Sequence, residues 1–91
     1  MADKPLLSVS IKEPEKTLFD GFAKAISSVS NRGKFDVLPF HENFISLIQE
    51  AITVHKDGKE ESLLIPIKTG VLKVQKNVVK ILLGIETKAK K

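Results

Sequence analysis

Glu13-Pro14-Glu15-Lys16-Thr17-Leu18-Phe19-Asp20-Gly21 is the stretch whose reading decides the fold. Pro14 has no N–H to give to a strand ladder, so a strand that reaches Glu13 stops there. Thr17-Leu18-Phe19 has the β-branched and aromatic character of a short returning strand, and Asp20-Gly21 reads as the turn that closes it. Upstream, Leu7, Val9 and Ile11 alternate with Ser8, Ser10 and Lys12. That period of two marks a strand with one face buried. Downstream, Gly33-Lys34-Phe35-Asp36-Val37-Leu38-Pro39-Phe40-His41 repeats the grammar: a glycine turn, a short strand, and a proline stop before a histidine.

The same punctuation continues. Phe22 to Ser30 alternates less cleanly, with Ala23, Ala25 and Ser27 on one side and Lys24, Ile26 and Ser28 on the other. Asn31-Arg32-Gly33 is a loop of turn formers. Residues 40–50 admit two readings. Phe40, Phe44, Leu47 and Ile48 fall at helical spacing, and Phe44, Ile45, Leu47 and Ile48 equally make a buried strand. Ile52 and Val54 alternate with Thr53 and His55, and Asp57-Gly58 then signals a hairpin. Pro66 marks an edge position on the return. Thr69-Gly70 reads as a turn, as does Lys76-Asn77, where Asn tolerates positive φ. Leu72, Val74, Val79, Ile81 and Leu83 point inward. Short strands separated by turns every eight to twelve residues imply an all-β sandwich or barrel.

A length of 91 residues favours one domain with a modest core. The expected division is a β domain over residues 1–84 and a Lys-rich tail over 85–91. Absence of Cys excludes disulfides and thiolate chemistry, and two histidines make a poor metal set. No apolar run reaches the eighteen residues of a membrane-spanning helix, and the polar start lacks a signal-peptide core, so a cytoplasmic location is expected. The net charge of +4 is uneven. From Lys68 onward seven Lys face one acid, Glu86, a balance of +6, while residues 1–67 carry eight basic and ten acidic residues, a balance of −2. A basic end of this kind fits a solvated strand face with a frayed tail, or one that attracts nucleic acid, as a stand-alone β-module would, anionic lipid or an acidic protein. No nucleophile with a base, phosphate-cradling loop or carboxylate pair is signalled, so no catalytic residue, metal or cofactor is assigned. Glu60 and Glu61 are adjacent and point to opposite faces of a strand.

The motif order resembles the N-terminal domain of the epsilon subunit of F-type ATP synthases, the counterpart of mitochondrial delta. Pro14-Glu15-Lys16-Thr17-Leu18-Phe19-Asp20-Gly21 is similar to the family's Pro-Glu-Lys-x-x-Phe-x-Gly turn. Gly33 to His41 follows its Gly-x-Phe/Leu-Gly-Ile/Leu-x-Pro-Gly-His segment, with Asp36 and Phe40 in place of two glycines. Glu60-Glu61-Ser62 and Gly70-Val71-Leu72-Lys73-Val74-Gln75-Lys76-Asn77-Val78-Val79 complete the series. Gln49-Glu50-Ala51 replaces the family's Pro-Gly turn. The family usually continues into a helical hairpin, which does not follow here.

The resemblance implies a flattened β-sandwich of about ten short strands in two antiparallel sheets, with residues 40–50 as strand. It implies a core of Leu7, Val9, Ile11, Phe19, Ile52, Val54, Leu72, Val74, Ile81 and Leu83. It further implies a non-catalytic rotor-stalk subunit on the cytoplasmic face of the membrane, not inserted in it. The implied partners are the gamma subunit and the membrane rotor ring, with no nucleic acid and no cofactor. Arg32, Lys34 and Asp36 would face the ring, His41 would lie in the surface that meets gamma, and Phe40 would belong to the partner interface. Read without the resemblance, the first three sit on a solvated turn and His41 is a loop histidine bonded to backbone.

Overall fold

The computed structural model describes residues 5–56 and 62–84. It contains β1 (Leu7–Glu13), β2 (Lys16–Ala23), β3 (Ala25–Ser30), β4 (Gly33–Val37), β5 (Phe44–His55), β6 (Leu63–Gln75) and β7 (Val78–Leu83). No helix occurs among the described residues. The strands form one hydrogen-bonded ladder in the order β2-β1-β7-β6-β5-β3-β4. Every pair is antiparallel except β1–β7, which is parallel and joins strands remote in sequence. The expected Asp57-Gly58 hairpin and the Glu60-Glu61 pair lie outside the described residues.

The ladder doubles over at one corner. Gln49 pairs Thr69 and Ala51 pairs Pro66, so Glu50 alone opposes Ile67 and Lys68. Glu50 takes φ +73°, a left-handed conformation, at the point where two residues of β6 oppose one of β5. Across this corner the inward set of β6 changes parity, from Leu63, Ile65 and Ile67 to Gly70, Leu72 and Val74. The register of β3 against β5 shifts at the same place, and the buried Ser28 donates its Oγ–H to the Ala51 carbonyl at 2.8 Å. A bulge carbonyl left unpaired in the core would be costly, and Ser28 removes that cost.

Two layers result. The first is β2, β1, β7, the C-terminal half of β6 and the N-terminal part of β5. The second is the remainder of β6 and β5 with β3 and β4. They close on one cluster that draws buried side chains from all seven strands, including Leu7, Ile11, Ile26, Val37, Ile52, Leu72 and Ile81. Phe35 of β4 meets Phe44 of β5 edge-to-face, with centroids 6.1 Å apart.

The all-β class is as expected, as is strand rather than helix within residues 40–50, although the strand begins only at Phe44 and runs on to His55. Of the expected core, Phe19 is only partly buried and the other nine are buried. The details differ in three ways. Seven strands in one mixed ladder replace ten short ones in two antiparallel sheets, because two expected turns are continuous strand. Asp20 and Gly21 pair with Ser10 and Val9 inside β2, and a Cβ on Gly21 would stand 3.4 Å from the Phe19 ring. Thr69 and Gly70 lie inside β6, and a Cβ on Gly70 would approach Leu83 Cδ2 to 2.6 Å and the Leu82 carbonyl to 3.0 Å. Neither glycine reverses the chain; Gly70 makes room for β7, whereas a Cβ at Gly21 would meet only an ordinary contact. Finally, β3 turns Ile26 and Ser28 inward, the set expected to oppose Ala25 and Ser27, because the chain resets its phase at Lys24.

Candidate functional site

One end of the sandwich gathers three connections. The first is the β3–β4 turn, where Ser30 Oγ accepts the Arg32 N–H at 3.1 Å and Gly33 takes φ +117°. The second is the segment from Leu38 to Asn43. The third is the β6–β7 hairpin, where Lys76 and Asn77 have φ +52° and +64°, as a two-residue type I′ turn requires. Two side-chain amides tie the second connection to the third. Asn77 Oδ1 accepts the Phe40 N–H at 2.6 Å, and Asn43 Oδ1 accepts the Lys76 N–H at 3.1 Å. Sequence reading identified Lys76-Asn77 as a turn but not as part of this end.

Four of the five expected interface residues border two depressions. Arg32, Asp36 and His41 line an open groove of about 390 Å³ floored by Phe35 and Phe44. His41 Nδ1 donates to the Glu42 carbonyl at 3.0 Å, and its ring lies 5.0 Å from that of Phe44. The loop-histidine reading and the interface reading of His41 are thus both compatible with its exposed position. Lys34 is exposed on β4 and borders a second depression, with Ser27, Asp36 and His55.

Phe40 lines neither. It is 78% exposed and holds φ +69°. For a bulky residue that conformation is strained by about 1–2 kcal/mol. It stands where the family pattern has glycine, and the backbone has kept the glycine geometry. Glu50, in the segment that replaces the family's Pro-Gly, is left-handed as well. Phe40→Gly is therefore expected to raise stability by a few tenths to about 1 kcal/mol, the relief of strain being partly offset by unfolded-chain entropy. Urea denaturation checks this, and a lower midpoint would contradict it.

One constellation has the composition of a hydrolytic site without its chemistry. Ser27 Oγ donates to Asp36 Oδ1 at 2.6 Å and lies 2.7 Å from His55 Nε2. A serine has one proton, and here Asp36 receives it, so His55 Nε2 must be the donor to Ser27. In an activated serine the imidazole accepts that proton instead. Cross-strand register alone brings these three residues together, Ser27 opposite Asp36 and Ala25 opposite His55. No group of three or more His, Cys, Asp or Glu able to hold a metal occurs among the described residues.

The larger surface that sequence reading missed is the outer face of the first layer. Ile45 and Leu47 of β5, Leu82 of β7 and Phe22 of β2 are exposed there, and Leu47 is 74% exposed. Ile45 and Leu47 read as part of a buried run, and nothing in the alternation distinguishes a solvent face from a partner face. Exposed apolar side chains gathered on one face of a small domain mark a contact surface.

The β-sandwich domain model of the ATP synthase delta/epsilon chain matches residues 6–85. The ATP synthase epsilon chain of Maricaulis maris is 44% identical over 61 residues, spanning 66% of this chain and 44% of that protein. That of Nitratiruptor sp. is 34% identical over 61 residues, spanning 65% and 47%. The chain thus spans about half the length of the curated relatives it matches. Among solved structures, a chain of the Euglena gracilis mitochondrial ATP synthase OSCP/F1/c-ring assembly superposes with a TM-score of 0.79 at 20% identity, covering 90% of this chain and 53% of that one. A chain of the Tetrahymena thermophila mitochondrial ATP synthase central stalk/c-ring structure gives 0.69 at 18%, covering 90% and 66%. These two superpositions establish the shared fold. With the family model matched across nearly all of the sandwich, the chain belongs to the ATP synthase delta/epsilon chain β-sandwich domain family.

Proposed function

We propose that this chain is a non-catalytic part of the central stalk of an F-type ATP synthase, joining the gamma subunit to the membrane rotor ring. The observation that carries the reading is the pair of separate contact surfaces on one close-packed body. The broad outer face of the first layer would hold gamma. The end carrying Arg32, Lys34 and Asp36 would rest on the polar loops of the ring, with Phe40 beside it and His41 turned to gamma. A close-packed sandwich deforms little, so torque applied at one surface reaches the other. The relatives and solved neighbours named above are ATP synthase components, which supports the assignment. No helix among the described residues is long and apolar enough to cross a membrane. The chain would sit peripherally, on the cytoplasmic or organelle-equivalent side, with catalysis in other subunits. The Asp36–Ser27–His55 proton arrangement supports that last point.

Detergent extraction of native membranes carrying a tagged chain tests this. Stoichiometric recovery with gamma and ring subunits is expected. Recovery with nucleic acid alone would favour the basic-module alternative and contradict the stalk assignment.

A further inference from the structure

We infer that the outer face of the first layer receives an acidic, amphipathic segment of the partner subunit, an inference that rests on the stalk reading. Strand register lays this face out in three rows. One row runs Leu47, Val71, Leu82 and Lys12 across β5, β6, β7 and β1. The next runs Ile45, Lys73, Lys80, Ser10 and Asp20. The third runs Gln75, Val78, Ser8 and Phe22. Lys73 and Lys80 therefore stand in the middle row, with Leu47, Val71 and Leu82 on one side and Val78 and Phe22 on the other.

Lys73 and Lys80 stand directly opposite each other, an arrangement that costs stability in a sheet. Among the described residues, no acid lies within ion-pair distance of Lys73, Lys76 or Lys80. A groove of about 270 Å³ runs between Lys73, Gln75, Lys76, Val78 and Lys80. Asp20, two strands from Lys80, is the one acid in the three rows. Two facing ammonium groups with no counter-charge are favourable only when an anion arrives between them.

The layout discriminates among occupants. A second copy would bring lysines against lysines. A bilayer accepts a face whose cations ring an apolar centre, and here the cations are central. Nucleic acid would neutralise the lysines and leave Leu47, Val71 and Leu82 without apolar cover, and Phe22 is the one aromatic on the face. A protein segment with acids along its middle and apolar side chains to both sides satisfies all three rows.

The test measures binding of the whole chain to the purified gamma subunit at low and high salt. Wild-type affinity is expected to fall as salt rises, and Lys73→Glu with Lys80→Glu to weaken binding about tenfold or more. Lys80→Glu alone creates an opposite-charge cross-strand pair, so its melting temperature is expected to hold or rise while binding weakens. That combination separates a binding effect from a folding defect. Lys34→Glu, at the other surface, is expected to leave gamma binding unchanged. Gamma binding that is indifferent to the Lys73 and Lys80 reversals overturns this inference and leaves the stalk assignment intact. A wild-type chain with no affinity for gamma overturns both. Tighter binding to phosphatidylserine vesicles or to an oligonucleotide than to gamma also overturns the inference.

Discussion

Leu72→Ala is expected to lower the unfolding free energy by about 2–5 kcal/mol, as large-to-small changes in packed cores do. Leu72 has no exposed surface. It lies on β6 between Ser46 of β5 and Ile81 of β7, just past the corner where the ladder folds over. Its side chain therefore fills the space where the two layers close, and the bulge beside it limits how far the backbone relaxes into a cavity. A domain of this size holds only about 5–15 kcal/mol in total. The variant is expected to unfold at a much lower urea concentration with an unchanged slope. A loss below about 1 kcal/mol would mean that the layers are not in close contact there.

The second large effect concerns binding rather than folding. Leu47→Asp combined with Leu82→Asp is expected to leave the melting temperature nearly unchanged, since both side chains are exposed. The same variant is expected to lose stalk association by a hundredfold or more. Each leucine buried at an interface is worth about 1.5–3 kcal/mol, and every 1.4 kcal/mol is tenfold in affinity. The introduced carboxylates would also face the inferred acids of the partner. Affinity for gamma, measured beside thermal melting, checks both parts. Loss of folding, or retention of binding, would each contradict the assignment of this face as the docking surface.

The parts of this fold legible in the sequence are those where one residue has one dominant physical role. Pro14 ends β1, Asn77 turns the β6–β7 hairpin at positive φ, and the alternation of β1 and β7 marks the buried face directly. Glycine carries more than one meaning, and there the reading failed. Gly70 gives space to a side chain and backbone of the neighbouring strand and Gly33 supplies a turn, while Gly21 lies in a strand with room for a Cβ. Sequence alone does not separate these uses, because the atoms that crowd Gly70 belong to β7, on the neighbouring strand. The left-handed conformations of Phe40 and Glu50 were hidden for a related reason: no local preference announces them, and only their place in the family pattern points to glycine geometry.

The geometry of the candidate contact surfaces was legible only in part. Arg32, Asp36 and His41 share a groove as a surface residue set should, yet the amide ties from Asn43 and Asn77 depend on loops brought together by the fold. The rows of the outer face depend on the pairing of β5, β6, β7, β1 and β2. Alternation showed that Lys73 and Lys80 face outward. Register shows that they face each other.

Because the chain contains no cysteine, single thiols report the use of each face cleanly. Leu82→Cys samples the outer face of the first layer, and Leu64→Cys, in a residue 63% exposed on the β6 strand of the second layer, samples the other side. Maleimide labelling of the two variants, free and within purified ATP synthase, is the most direct measurement. The stalk account predicts that assembly slows labelling at Leu82→Cys by at least tenfold while Leu64→Cys labels as it does in the free chain. Equal labelling at Leu82→Cys in both states, or failure of the chain to enter the complex, would contradict it.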